Sequence, residues 1–243
     1  LVSMQRFSPS YPFWYHVFTV PDGSVAFGSA TNGRLLVTFP VRGNWTRNGA
    51  WQDPSLSRVL DSARLPSNLD RRRQEVASRL QALSGPVLHN PTRGLSLERN
   101  ADKYGGFLDE WAAIYERFGV PANIGLAQAA VESGLSGTVR SRARAIGFCQ
   151  WLMTNWTRLK RLSPHVIEGY NQTTQAPYCA AYLTILATKY GSFIPALSEH
   201  HAGAANVGRA LINGERLGGN DVRERYFLGA SFARDLRTAQ PRT

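Results

Sequence analysis

An α+β fold, a mainly helical body preceded by a small β-rich amino-terminal region, follows from three observations on this 243-residue sequence. Residues 1–54 combine aromatic and β-branched residues with turn signals at Pro21-Asp22-Gly23, Asn32-Gly33 and Asn48-Gly49. Residues 55–95 change to a helical apolar period and then break at Pro86, Pro91 and Gly94, which mark a linker. Residues 96–243 repeat apolar positions at helical spacing almost throughout. With 43% hydrophobic residues the chain can bury a real core.

Taken in order, Tyr15 to Val20, Ser24 to Phe27 and Arg34 to Val41 read as short strands, the first two as a hairpin. Leu56, Val59, Leu60 and Ala63 then share one helical face, and after Pro66 a second helix carries Leu69, Val76, Leu80 and Leu83. Phe107 to Phe118 is an amphipathic helix with Leu108, Trp111, Ala112 and Tyr115 inward, stopped by Gly119 and Pro121. Gly125 to Glu132 follows, ended by Gly134. Later helices are expected over 147–162, 176–190, 193–200, 206–213 and 221–235.

The formal net charge of +11 calls for an anionic partner: nucleic acid, an acidic membrane surface or a polyanionic cell wall. No apolar run reaches the ~18 residues of a membrane span. Cys149 and Cys179 are too few for a disulfide scaffold and lack metal-ligand spacing. Two buried thiols is the simpler reading, with a single bridge as the alternative for an exported protein. There is no zinc-protease motif, phosphate loop or nucleophile elbow, and the adjacent His200 and His201 make a poor metal pair. Neither a metal nor another cofactor is expected.

Glu132 has the most telling setting. It closes the apolar segment Ile124 to Val131, and the next acidic residue is Glu168, with Arg140, Arg142, Arg144, Arg158, Lys160 and Arg161 between. A lone carboxyl at the end of a buried helix is a candidate proton-carrying acid, raised above its ordinary pKa by burial. The three arginines nearest in sequence should then point away from it, either as a solvated basic loop or toward acidic groups of a substrate.

Around Glu132 the sequence runs Glu132-Ser133, then Ser141-Arg142-Ala143-Arg144-Ala145-Ile146-Gly147-Phe148-Cys149-Gln150, Tyr182-Leu183, His201-Ala202-Gly203 with Val207, and Tyr226. This ordered set resembles the catalytic domain of the soluble lytic transglycosylases, a family related in fold to goose-type lysozyme. The usual text there is Glu-Ser, Ser-x-x-Gly-Ala-x-Gly-Leu-Met-Gln, Tyr-Leu and Tyr-Asn-Ala-Gly, and the likeness spans roughly residues 97–237. Arg144 departs from the usual glycine, Phe148-Cys149 from Leu-Met, and His200-His201 from Tyr-Asn. An imidazole can both donate and accept hydrogen bonds, as the replaced amide does, so altered recognition is expected at His201.

The resemblance implies a lysozyme-like fold over residues 96–243 and a lyase reaction on peptidoglycan glycan strands. Glu132 would protonate the glycosidic oxygen between N-acetylmuramic acid and N-acetylglucosamine and then accept the C6 hydroxyl proton as a 1,6-anhydro ring closes. Ser133, Ser141, Gln150, Tyr182, His201 and Tyr226 would contact substrate or orient the acid. Phe148, Trp151 and Trp156 are candidate stacking platforms, with core packing the alternative for at least one of the tryptophans. Ser133 and Ser141 can equally act as helix-end caps, and Tyr182 as a core aromatic.

Two further readings stay open. A hydrolytic muramidase would need a second carboxylate, for which Glu168, Glu199, Glu215 and Asp221 are the candidates. A non-catalytic wall-binding protein would need none, and a nucleic-acid binder has only the charge in its favour. A periplasmic or envelope-exported protein is expected, or one carried on a phage particle. Residues 1–95, as a β-rich region over 1–54 and a helical connector over 55–95, carry no assigned site and are a candidate docking region for an envelope or phage-particle protein.

Overall fold

The computed structural model describes residues 8–163, 169 and 171–239, with side chains described to residue 231. The fold is α+β and mainly helical, with one four-stranded antiparallel sheet in its amino-terminal part. Two compact units meet in sequence between Arg99 and Asn100.

The first unit runs α1 (Tyr11–Thr19), β1 (Ser24–Ser29), β2 (Leu35–Pro40), β3 (Ala50–Trp51), a 3-10 turn (Pro54–Leu60), α2 (Leu69–Ser84) and β4 (Val87–Pro91). The sheet order is β3-β2-β1-β4. Central β1 is buried along its whole length because both of its faces are covered. Val25 and Phe27 pack with Leu56, Leu60, Val76 and Leu80 on one side, while Ala26 meets Phe13 and Val17 of α1 on the other. Gly28 keeps α1 close, since a Cβ there would lie 2.5 Å from the Phe13 ring.

Three expectations for this region are corrected. Residues 15–19 are helical, because Pro12 suits a first turn and Phe13 and Val17, four apart, bury a helical face. The hairpin is therefore β1–β2 across Asn32-Gly33, with Val25 opposite Phe39. Residues 55–95 are not a connector: the 3-10 turn and α2 complete the core under the sheet, and β4 pairs antiparallel with β1. Pro91 is tolerated because β4 is an edge strand.

Helix α3 (Gly94–Arg117) leads into the second unit and leaves helical backbone angles at Gly105. It is followed by α4 (Ala122–Ser133), a short hairpin β5 (Ala145–Ile146) and β6 (Trp151–Leu152), α5 (Met153–Leu162), α6 (Gln172–Tyr190), α7 (Phe193–Ala202), α8 (Ala204–Arg216) and α9 (Val222–Ala239). The core gathers Trp111, Tyr115, Ala129, Phe148, Trp156, Leu183 and Ala196. Of the four residues expected inward on α3, Trp111 and Tyr115 are fully buried. Gly125 admits Tyr115, whose ring would lie 2.5 Å from a Cβ at that position, and the Tyr115 hydroxyl donates to Gln128 Oε1 at 2.8 Å.

Residues 147–162 are not one helix. Gly147 and Gln150 both take positive φ, which turns the chain into the hairpin before α5 starts at Met153. Cys149 and Cys179 form a disulfide rather than two free thiols. Their Cα atoms lie 6.5 Å apart, within the range a bridge requires, and both side chains are buried.

Helices α8 and α9 cross at two glycines. A Cβ on Gly214 would sit 1.7 Å from the Arg225 carbonyl oxygen, and one on Gly229 would sit 1.8 Å from that of Ala210. Backbone lies opposite both positions, so the helices must separate to admit a methyl group. Gly229→Ala is expected to lower unfolding free energy by about 1–3 kcal/mol, read as a lower denaturant midpoint. An unchanged midpoint would show that this crossing does not depend on close backbone approach.

Candidate active site

Glu132 is the penultimate residue of α4, where the helix ends at Gly134 in the left-handed conformation. Gly134 N donates to Ala130 O, and Asn100 Nδ2 donates to Gly134 O at 2.8 Å, so the turn after the acid is fixed on both sides. The Glu132 side chain is 13% exposed. Two imidazoles of α7 approach its Oε1: His201 Nδ1 at 3.2 Å, a hydrogen bond, and His200 Nδ1 at 3.7 Å, beyond hydrogen-bond length but within ion-pair range.

The histidines differ in setting. The His201 side chain is 75% exposed, so a ligand reaching Glu132 meets it first. The His200 side chain is 3% exposed, and among the described residues neither ring nitrogen has a hydrogen-bond partner. Sequence reasoning named His201 and passed over His200. The available signal was its place directly before His201 on the same helical segment.

These neighbours overturn the expected pKa direction. Burial pushes the Glu132 carboxyl up, but contact with and positive charge on His200 and then His201 outweigh it, and the net shift is downward. The resting carboxyl is therefore ionised more readily than an ordinary glutamate. Arg140, Arg142 and Arg144 are exposed, and among the described residues no guanidinium pairs with Glu132.

The other residues named from sequence divide into two groups. Tyr182 of α6 lies near the acid's partners, its ring 6.1 Å from that of His200 and 5.3 Å from that of Trp151. Burial, reinforced by the charge of Glu199, pushes its hydroxyl pKa up, so it stays a neutral donor. Trp151 is half-buried and remains the aromatic face available at this side.

Ser133, Ser141 and Gln150 serve the backbone. Ser133 Oγ donates to Ala129 O at 2.8 Å, and Ser141 Oγ accepts from Ala145 N at 2.9 Å. Gln150 Nε2 donates to Val139 O and Gly147 O, which leaves its Oε1 as the atom able to meet a ligand. Tyr226 shares a 2.6 Å hydrogen bond with Ser198 and so fastens α9 to α7. Phe148 and Trp156 are core residues, at 0% and 2% exposure, and not stacking platforms.

Two glutamines that sequence reasoning did not single out hold the 137–148 segment against α6. Gln172 Oε1 accepts from Phe148 N and its Nε2 donates to Gly137 O, while buried Gln175 donates to Ile146 O and Gly169 O. The positive φ of 69° at Gly147 favours glycine here, and a Cβ would lie 2.4 to 2.5 Å from both amide groups, which would have to shift.

Among the carboxylates considered as a second catalytic group, Glu199 accepts from Lys189 Nζ at 2.7 Å and from the Tyr190 hydroxyl. Glu215 pairs with Arg225 at 3.0 Å, and Asp221 caps α9 through the amides of Arg223 and Glu224. Glu168 lies outside the described residues. Among the described residues no three His, Cys, Asp or Glu side chains converge as metal ligands, and no helix is long and apolar enough to cross a membrane. Compared with known proteins, the chain matches no protein-family model and no curated protein.

Proposed function

We propose that the second unit is a peptidoglycan lytic transglycosylase in which Glu132 is the single general acid and base. The observation that carries this reading is a largely buried carboxyl met by two imidazoles and, among the described residues, by no guanidinium. Its three described candidate partner carboxylates are engaged elsewhere, which favours a substrate-supplied nucleophile over activation of water by a second carboxylate.

Docking of a glycan strand over His201 strips water from the Glu132 carboxylate and strengthens the burial contribution, which favours the protonated form. Glu132 then protonates the glycosidic oxygen as the bond to the muramic acid anomeric carbon breaks. The muramic acid N-acetyl oxygen shields the positive charge that develops there. The Glu132 carboxylate next removes the C6 hydroxyl proton, and that oxygen bonds to the anomeric carbon to close the 1,6-anhydro ring. One proton has moved from O6 to the leaving oxygen, and no water is consumed. In this reading Tyr182, Trp151, the Gln150 Oε1 and His201 would receive the sugars.

Export to the periplasm or cell envelope belongs with this reading, and a phage particle is the alternative carrier. The buried Cys149–Cys179 bridge supports an oxidising compartment, and the net charge of +11 suits an anionic wall. An envelope or phage-particle protein remains the proposed partner of the first unit.

The sign of the pH dependence follows from the histidines. They hold the Glu132 pKa down, so the free enzyme keeps its acid protonated only toward acidic pH. His201→Asn removes one of these imidazoles and leaves burial less opposed, so the carboxyl should titrate at higher pH. Carbon-13 NMR of the Glu132 carboxyl should show that upward move, and the alkaline limb of kcat/KM should follow it. A titration unchanged by the substitution would contradict the electrostatic role given to His201.

A further inference from the structure

A second site of different chemistry lies along one face of α5. Ala143, Arg144 and one face of this helix from Met153 to Arg161 line an open pocket of about 400 Å³ that the exposed Arg144, Arg158 and Arg161 border, with Met153, Thr154 and Thr157 between them. Thr154, Arg158 and Arg161 repeat at four and three residues and so share one face of α5, while Trp156 is buried in the core on another. Among the described residues none of the three arginines has an ion-pair partner, and the next acidic residue after them in sequence, Glu168, lies outside the described residues.

Two unfavourable features converge here, with no compensating ion pair among the described residues. Like charges three residues apart on a helix repel, and a third cation faces them across the pocket. Arg144 also stands at φ 64, the left-handed conformation in which a side chain costs about 1–2 kcal/mol and glycine costs nothing. A glycine would satisfy the backbone at this position. An arginine there adds a guanidinium, and Arg144 is one of the residues lining the pocket.

We propose that this pocket binds a multiply charged oxyanion, a phosphate or pyrophosphate group. A single carboxylate would leave two of the three cations uncompensated. A phosphate offers each guanidinium its own oxygen and carries up to two charges, the arrangement in which arginine forms its strongest hydrogen bonds. The assignment is independent of glycan cleavage, since it uses none of the residues around Glu132.

Titration of the whole chain with inorganic phosphate and with pyrophosphate, by calorimetry at low ionic strength, tests it. Saturable one-site pyrophosphate binding is expected, weakened at least about tenfold by R144G, the loss of one charge-assisted contact. Because glycine relieves the backbone at 144, the thermal midpoint of R144G should be no lower than that of the wild type. R158A/R161A should abolish binding, whereas R42A/R47A/R64A, which removes three exposed arginines of the first unit, should retain it. Equal losses in the two sets, or wild-type affinity in R144G, would overturn the site. Citrate binding as tightly as pyrophosphate would overturn its assignment to phosphate.

Discussion

Glu132→Gln should reduce release of muropeptides from peptidoglycan by about 10²–10⁴-fold, the usual contribution of a positioned general acid and base. The substitution keeps the shape of the side chain and an acceptor for His201 Nδ1, now 3.2 Å from Oε1, so fold and wall binding should survive. Retained binding with lost release separates chemistry from recognition. Activity within a few-fold of wild type would remove Glu132 from the mechanism, since no other carboxylate described near α7 is unengaged: Glu199 is committed to Lys189 and Tyr190. Because Gln cannot ionise, its loss should also be independent of pH, unlike the shift expected for His201→Asn.

Trp111→Ala should have the largest effect on stability, about 3–5 kcal/mol, the range for deleting a buried aromatic side chain. Trp111 is fully buried, stacks on Tyr115 at 5.2 Å between ring centres, meets Phe148 edge-on at 5.0 Å, and donates to Gly125 O at 3.3 Å. It thus touches both α4, which carries Glu132, and the loop that Gln172 and Gln175 hold in place. Calorimetric or denaturant unfolding of the variant should show the loss, and activity should fall with it as these two supports loosen. A cost below about 1 kcal/mol would mean that the core closes over the missing ring, against the close packing described around it.

The helical body and its acid were legible because both depend on local pattern. Apolar spacing located α4, α6, α7, α8 and α9 to within a few residues but only the part of α3 after its break at Gly105, and the turn glycine Gly134 marked where Glu132 would stand. The β-rich region was less legible. Aromatic and β-branched content pointed to a strand at residues 15–20, yet Pro12 and the Phe13–Val17 pair gave a helix, and the prolines that suggested a linker bracket an edge strand. Long-range facts left little trace in the sequence. The α8–α9 crossing depends on two glycines that face each other only after folding, and the Gln172 and Gln175 amides answer backbone groups more than twenty positions away.

The site itself was legible in membership more than in role. Glu132 and His201, 69 residues apart, do meet, whereas Ser133 and Ser141 turned out to serve the backbone. The direction of the Glu132 pKa shift could not be read from burial alone, because it depends on two imidazoles delivered by α7. Arg144 shows the same limit from the other side. A departure from glycine looks like a loss in the sequence, and only the positive φ and the neighbouring Arg158 and Arg161 give it a purpose.

Mass analysis of the products released from purified sacculi tests the central claim most directly. Muropeptides ending in 1,6-anhydro-N-acetylmuramic acid, lighter by one water than their hydrolysed counterparts and absent with Glu132→Gln, are the predicted result. Reducing-end products from the wild-type chain, or binding to sacculi with no product at all, would contradict it.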